Sequence, residues 1–109
     1  MRIWDISVDK LCNKHLLGEH RELHAIWSIL VNNKKGYSNH PETLRWKGKL
    51  KALYLRHIKL VKELKKRGYK HKSILAYKLA KGKIRQTQFI NSLKEQKEIL
   101  KSKRCSCRV

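Results

Sequence analysis

The sequence predicts an all-α fold, a single compact domain of about three main helices. Apolar residues recur at helical spacing along three stretches, no stretch alternates apolar and polar residues with period two, and one loop-forming segment interrupts the pattern. At 109 residues there is room for one domain with one modest core.

From Ser7, a good N-cap, the positions Leu11, Leu16, Leu17, Leu23, Ile26, Trp27 and Leu30 mark helix one, with Gly18 as its weak point. Residues 32–43 gather Asn, Gly, Ser and the only proline, Pro41, and read as the long loop. Thr43 is placed to cap helix two, which runs to about Arg67 on a stripe of Leu50, Leu53, Tyr54, His57, Leu60, Val61 and Leu64, and Gly68 stops it. A short helical turn is expected over 73–80, closed by Gly82. A last helix from about Gln86 to Lys101 uses Phe89, Ile90, Leu93 and Leu100. The helical domain is taken as 1–102, and 103–109 as a frayed basic tail.

Charge narrows the partners. Lys and Arg number 28 against 8 Asp and Glu, a formal net charge of +20. Such a chain repels itself and is stabilised against phosphate, so nucleic acid is the expected polyanion, ahead of an anionic membrane surface. The charge is uneven: Arg2, Lys10, Lys14 and Arg21 are balanced by Asp5, Asp9, Glu19 and Glu22 in the first 30 residues, and the other 79 carry the whole excess. Between Lys47 and Lys83 the only acid is Glu63, so these lysines lack the i,i+4 partners of an ordinary solvated helix face. Tyr37, Tyr69 and Tyr77 are interspersed and able to stack on unpaired bases, although a small core also uses tyrosines. The apolar stretch at 25–31, broken by Ser28, is too short to span a bilayer. No apolar signal segment follows Met-Arg-Ile-Trp-Asp, so the chain is expected to start where its gene does and to be cytoplasmic, nucleoid-associated in a prokaryote. A monomer is expected.

Three cysteines, Cys12, Cys105 and Cys107, are an odd count and argue against a disulfide framework. Cys105-Ser-Cys107 offers two thiolates that Cys12 or a histidine would have to complete; one such pair is a weak signal, and no metal or other cofactor is expected.

The stretch His15-Leu-Leu-Gly-Glu19-His20-Arg21-Glu22-Leu-His24 has three readings. His20 and His24 at i,i+4 share the spacing of helical zinc ligands, yet no carboxylate or thiolate stands at helical distance to complete a site. Alternatively, all are ordinary surface polar residues. In the third reading, His15, Glu19, Glu22 and Ile26 fall on one face, and a histidine, two carboxylates and the neighbouring Arg21 make a catalytic helix.

At these residues the chain resembles the pyrimidine-dimer DNA glycosylase and abasic-site lyase family, the small all-helical repair enzymes of the bacteriophage type. The shared pattern is Met1-Arg2-Ile3, His15-Leu16 and Glu19-x-Arg21-Glu22-Leu23. It continues through Lys49-Leu50, Leu53, Arg56, Ile58 and Leu60 to Glu63-x-x-Lys66-Arg67-Gly68-Tyr69, in register over about the first seventy residues. The resemblance implies a metal-independent enzyme acting on double-stranded DNA that contains a damaged pyrimidine, first of all a cyclobutane dimer. The N-terminal α-amine attacks C1′ of the damaged nucleotide, the base leaves, and β-elimination from the Schiff base nicks the strand. The implied catalytic residues are Met1, whose amine is the nucleophile, and Glu22; the bulky Arg2 would keep Met1 from being removed. An α-amine titrates near about 8 against roughly 10.4 for lysine, so part of it is neutral at physiological pH. His15 and Arg21 are assigned to phosphates at the flipped site, with Arg2, Lys47, Lys51, Lys66 and Arg67 as further DNA contacts; Arg2 and Arg21 near the amine would also lower its pKa. The family pattern has an arginine at Ala25, a tyrosine at His20, a longer loop after helix one and an aromatic C-terminal segment that is absent here. Lesion specificity rests on those parts, whereas the amine chemistry rests on residues that are present. Two alternatives stay open: a non-catalytic basic helical nucleic-acid-binding protein, and the same chemistry on another lesion.

Overall fold

A computed structural model describes residues 2–36, 39–70, 75–103 and 105–109. Met1, Tyr37 and the start of the turn expected at 73–80 lie outside the described residues. The fold is all-α: α1 (Asn13–Val31), α2 (Pro41–Leu44), α3 (Leu50–Lys66) and α4 (Leu93–Ser102), with 3-10 turns at Val8–Lys10 and Tyr77–Leu79. Among the described residues there is no strand, only an isolated bridge between Lys49 and Gly82.

The core forms where α1 crosses α3. Leu16, Leu23, Ile26 and Trp27 of α1 meet Leu53, Leu60 and Leu64 of α3, and Trp46, Leu75 and Leu100 close the ends. The chain before α1 is part of this core, since Ile3, Trp4, Ile6 and Leu11 are all buried. Each such side chain contributes roughly 1.5–3 kcal/mol when taken out of water, enough to hold an extended N-terminal segment inside the bundle.

The helix starts differ from the sequence expectation, each for a local reason. Ser7 precedes only the 3-10 turn, and its hydroxyl bonds the Asp9 carboxylate. Leu11 and Cys12 then turn extended, which buries Leu11 and delays α1 to Asn13. Thr43 is buried inside α2, whose cap is His40: its Nδ1 accepts from the Glu42 amide while Pro41 fills the first helical position. The last helix begins at Leu93 rather than Gln86, because Ser92 and Glu95 form a reciprocal capping box there. Phe89 and Ile90 are consequently exposed and lie outside any helix.

α3 takes its first-turn partners from a distant loop. The amides of Lys51 and Ala52, which no helical carbonyl can reach, donate to the carbonyls of Lys81 and Lys83. This approach needs Gly82: at φ +94 a Cβ there would stand 2.1 Å from the Gly48 carbonyl oxygen. At the other end Gly68 (φ +91) lets the Tyr69 amide reach back to the Leu64 carbonyl, so the predicted stop is where it was read.

The tail is not frayed at its end. The Arg108 amide donates to the Lys10 carbonyl at 2.7 Å, and Cys107 and Val109 pack against the core.

Candidate active site and nucleic-acid interface

The beginning of the chain is held by side chains from every helix. The Ile3 amide donates to Glu42 of α2 (3.2 Å), the Trp4 amide to Glu19 of α1 (2.8 Å) and the Asp5 amide to Gln96 of α4 (2.8 Å). The Ile3 carbonyl accepts from Arg45 (2.9 Å) and the Ile6 carbonyl from Arg56 of α3 (2.9 Å). An extended segment has no ladder of its own, so these groups replace one. The acids are held in turn. Arg45 bridges Asp5 and Glu42 at 3.1 and 2.7 Å, and Arg56 grips Glu19 through both oxygens at 2.7 and 3.0 Å.

The two carboxylates of the sequence motif thus separate in role. Glu19 is buried, 2 % exposed, and committed to the Trp4 amide and Arg56. Burial pushes its carboxyl up, against the opposing pull of Arg56 and the Trp4 amide. Glu22 is half-buried, makes no hydrogen bond or ion pair among the described residues, and lines a cavity of ≈ 610 Å³ with Ala25, Ser28, Ile29, Lys34, Gly36 and His40. A carboxylate on a cavity wall that no described residue engages is open to a ligand.

His15 does not join them. It sits in the first turn of α1, about 10 Å along the axis from Glu22, with its ring edge on Trp4 and its Nδ1 3.1 Å from the Cys12 thiol. Burial and the charges of Lys103 and Lys14 hold its pKa down. Arg21 is exposed one residue before Glu22. Arg2 stacks over the Trp4 ring, 4.9 Å from its centroid, and donates to Asn91.

Of the expected DNA contacts, Lys47 and Lys66 are exposed, whereas Lys51 lies over the Tyr77 ring at 4.2 Å. Arg67 is turned inward: its guanidinium meets Glu63, Asn13 and the carbonyl of Asp9, tying the end of α3 to the start of α1. Lys66 and Arg67 line a groove of ≈ 760 Å³ together with Lys10, Lys14 and Arg108, a cationic lining that only Asp9 and Glu63 offset.

Sequence reasoning missed Glu42, Arg45, Lys49, His57 and Gln96. Lys49 is buried, with its Nζ on Gln86 and Gln88 at 2.8 and 2.7 Å; burial, then Lys83 and Arg45, hold its pKa down. His57 of α3 comes within 3.1 Å of His24, Nε2 to Nε2, and His20 stands 3.2 Å from the same atom, so the i,i+4 pair acquires a third imidazole. His57 was legible only as one member of an apolar stripe.

With this geometry in place, the comparisons with known proteins are specific. The family model described as pyrimidine dimer DNA glycosylase matches residues 1–76, which takes in the pinned segment, α1, α2 and α3. No curated protein and no solved structure matches the chain significantly.

Proposed function

The chain belongs to the pyrimidine dimer DNA glycosylase family, whose substrate is DNA, and on that premise we propose an amine-based glycosylase with associated abasic-site lyase activity. In this reading the α-amine of Met1 attacks C1′ of the damaged nucleotide and the base leaves with the C1′–N bond electrons. The attached amine loses one proton, its lone pair opens the sugar ring by breaking the C1′–O4′ bond as O4′ takes a proton, and C1′ becomes an iminium. Loss of the C2′ proton then expels the 3′-phosphate, and hydrolysis of the imine frees the enzyme. Glu22 stabilises the cationic imine, protonates the sugar ring oxygen or takes the C2′ proton, all of which suit a carboxylate that no described residue engages. No step uses a metal. The protein works as a cytoplasmic monomer, nucleoid-associated in a prokaryote, on duplex DNA with a cyclobutane pyrimidine dimer as first substrate.

One observation carries the reading: four helices are spent on fixing residues 3–6 at hydrogen-bond precision. A binding module that only neutralised phosphates would have no use for so well fixed a chain start. A nucleophile on the first residue does, since reactive groups must be held in near-attack geometry. Borohydride reduction in the presence of dimer-containing or abasic duplex should give a covalent adduct on the N-terminal peptide. An adduct on an internal lysine, with the buried Lys49 the first to inspect, would remove Met1 from the mechanism. No adduct on either duplex would leave a binding protein, and an adduct on abasic DNA alone would change the lesion.

A further inference from the structure

The residues around His15 form a second centre, in which His15 faces thiols rather than standing free for the phosphates that the family resemblance implies. Cys12, at the N-cap of α1, and His15, one turn into it, meet Cys105 and Cys107 from the far end of the chain. One ligand atom from each of the four lies within 4.8 Å of every other. The His15 Nδ1 is 3.1 Å from the Cys12 sulfur and 3.3 Å from the Cys107 sulfur. Tetrahedral zinc with its usual bond lengths places sulfur and nitrogen about 3.6 Å apart and two sulfurs about 3.8 Å apart. A small expansion of the cluster therefore accommodates the ion.

We propose that Cys12, His15, Cys105 and Cys107 bind one zinc ion that fastens the C-terminal segment to the start of α1. Four protein donors fill a tetrahedral shell and leave no open position, so the site is structural and separate from the chemistry at Glu22. The donor chemistry suits zinc among biological cations, because three thiolates and an imidazole are soft and borderline ligands. Surroundings supply positive charge and a donor at the cluster. The Cys12 amide donates to the Cys107 sulfur at 3.1 Å, the N-terminus of α1 points at the cluster, and Lys14, Lys103 and Arg108 offset the net negative charge of three thiolates on a divalent ion. Binding releases the thiol protons, including the one the Cys105 thiol donates to the Leu100 carbonyl at 3.5 Å.

The test needs no activity assay. The full chain, kept reduced and supplied with zinc, should carry one equivalent by elemental analysis. Cobalt loading should give the thiolate charge-transfer and intense visible bands of a tetrahedral site, which reads the ligands in the unaltered chain. A strong chelator should lower Tm by roughly 10 °C or more, and Cys12→Ser/Cys107→Ser should lose the ion and become insensitive to chelator. If the double variant does not fold, His15→Cys serves in its place and should keep the metal with stronger charge-transfer bands. Absence of bound zinc in the reduced chain would overturn the proposal. So would zinc retained by the cysteine variant, or cobalt bands without thiolate character, both of which would move the metal to His20, His24 and His57.

Discussion

Replacing Glu19 by glutamine changes one atom in a buried pair and should cost a large share of the fold's stability. The glutamine oxygen can still accept from the Trp4 amide, 2.8 Å away in the native protein. Its amide nitrogen, however, would face the Arg56 Nε that the native carboxylate engages at 2.7 Å, a donor against a donor. Arg56 would keep its charge at a site where its side chain is only 12 % exposed. Breaking a buried pair by removing one partner costs about 3–5 kcal/mol, a large fraction of the roughly 5–15 kcal/mol that holds a small domain together. At about 4–8 °C per kcal/mol, Tm by circular dichroism should fall by at least ~12 °C. Neutralising both partners, as Glu19→Met/Arg56→Met, should recover much of that loss. The Trp4 amide would stay unsatisfied in the double variant, at about 1–3 kcal/mol. A Glu19→Gln protein melting within ~4 °C of the native one would refute the assignment of Glu19 to the scaffold.

Glu22→Gln should behave in the opposite way: glycosylase turnover falls on the order of 100- to 10,000-fold while Tm and affinity for undamaged duplex are kept, and near-native turnover would leave Glu22 without its role. Affinity for undamaged duplex should fall steeply with salt. Lys47→Gln or Lys66→Gln should each lessen the slope of log K against log salt by roughly 0.9 in a fluorescence titration, and an unchanged slope would mean that lysine is merely solvated. Gly18→Ala should raise Tm by about 4–8 °C, since nothing lies within 4 Å of the added methyl and alanine is favoured over glycine in a helix interior by about 1 kcal/mol; a lower Tm would count against the packing described around α1.

The parts of the fold that were legible in the sequence are those that local rules determine. α1 and α3 announce themselves because a helix must turn one apolar stripe toward the core, and Gly68 because few other residues adopt its backbone easily. Ser92 and Glu95, three residues apart, mark the start of α4 locally, whereas the apolar Phe89 and Ile90 before them extend the helical pattern too far back. What no local rule contains is contact across the chain. Trp4 finds Glu19 15 residues on, Ile3 finds Glu42 after 39 and Asp5 finds Gln96 after 91, so the anchoring of an N-terminal segment without periodicity was not legible. The same distance hid the four-residue thiol and imidazole cluster, half of which looked like a loose tail. At the candidate site, tertiary packing divides the helix face that the sequence offered, with Glu19 going to the scaffold and Glu22 to the cavity wall.

The side-chain clamp on residues 3–6 also orders events during synthesis. Asp5 waits for Gln96, Arg2 for Asn91 and the carbonyl of Lys10 for Arg108, partners that emerge from the ribosome long after them. Glu19, Glu42, Arg45 and Arg56 are in place earlier, so the clamp closes in two stages, the second only after the intervening chain has folded. A nascent chain would display α1 and much of the positive surface while this segment is only partly fixed. Under the proposed function, attraction to DNA would then come before full fixing of the segment that positions the amine.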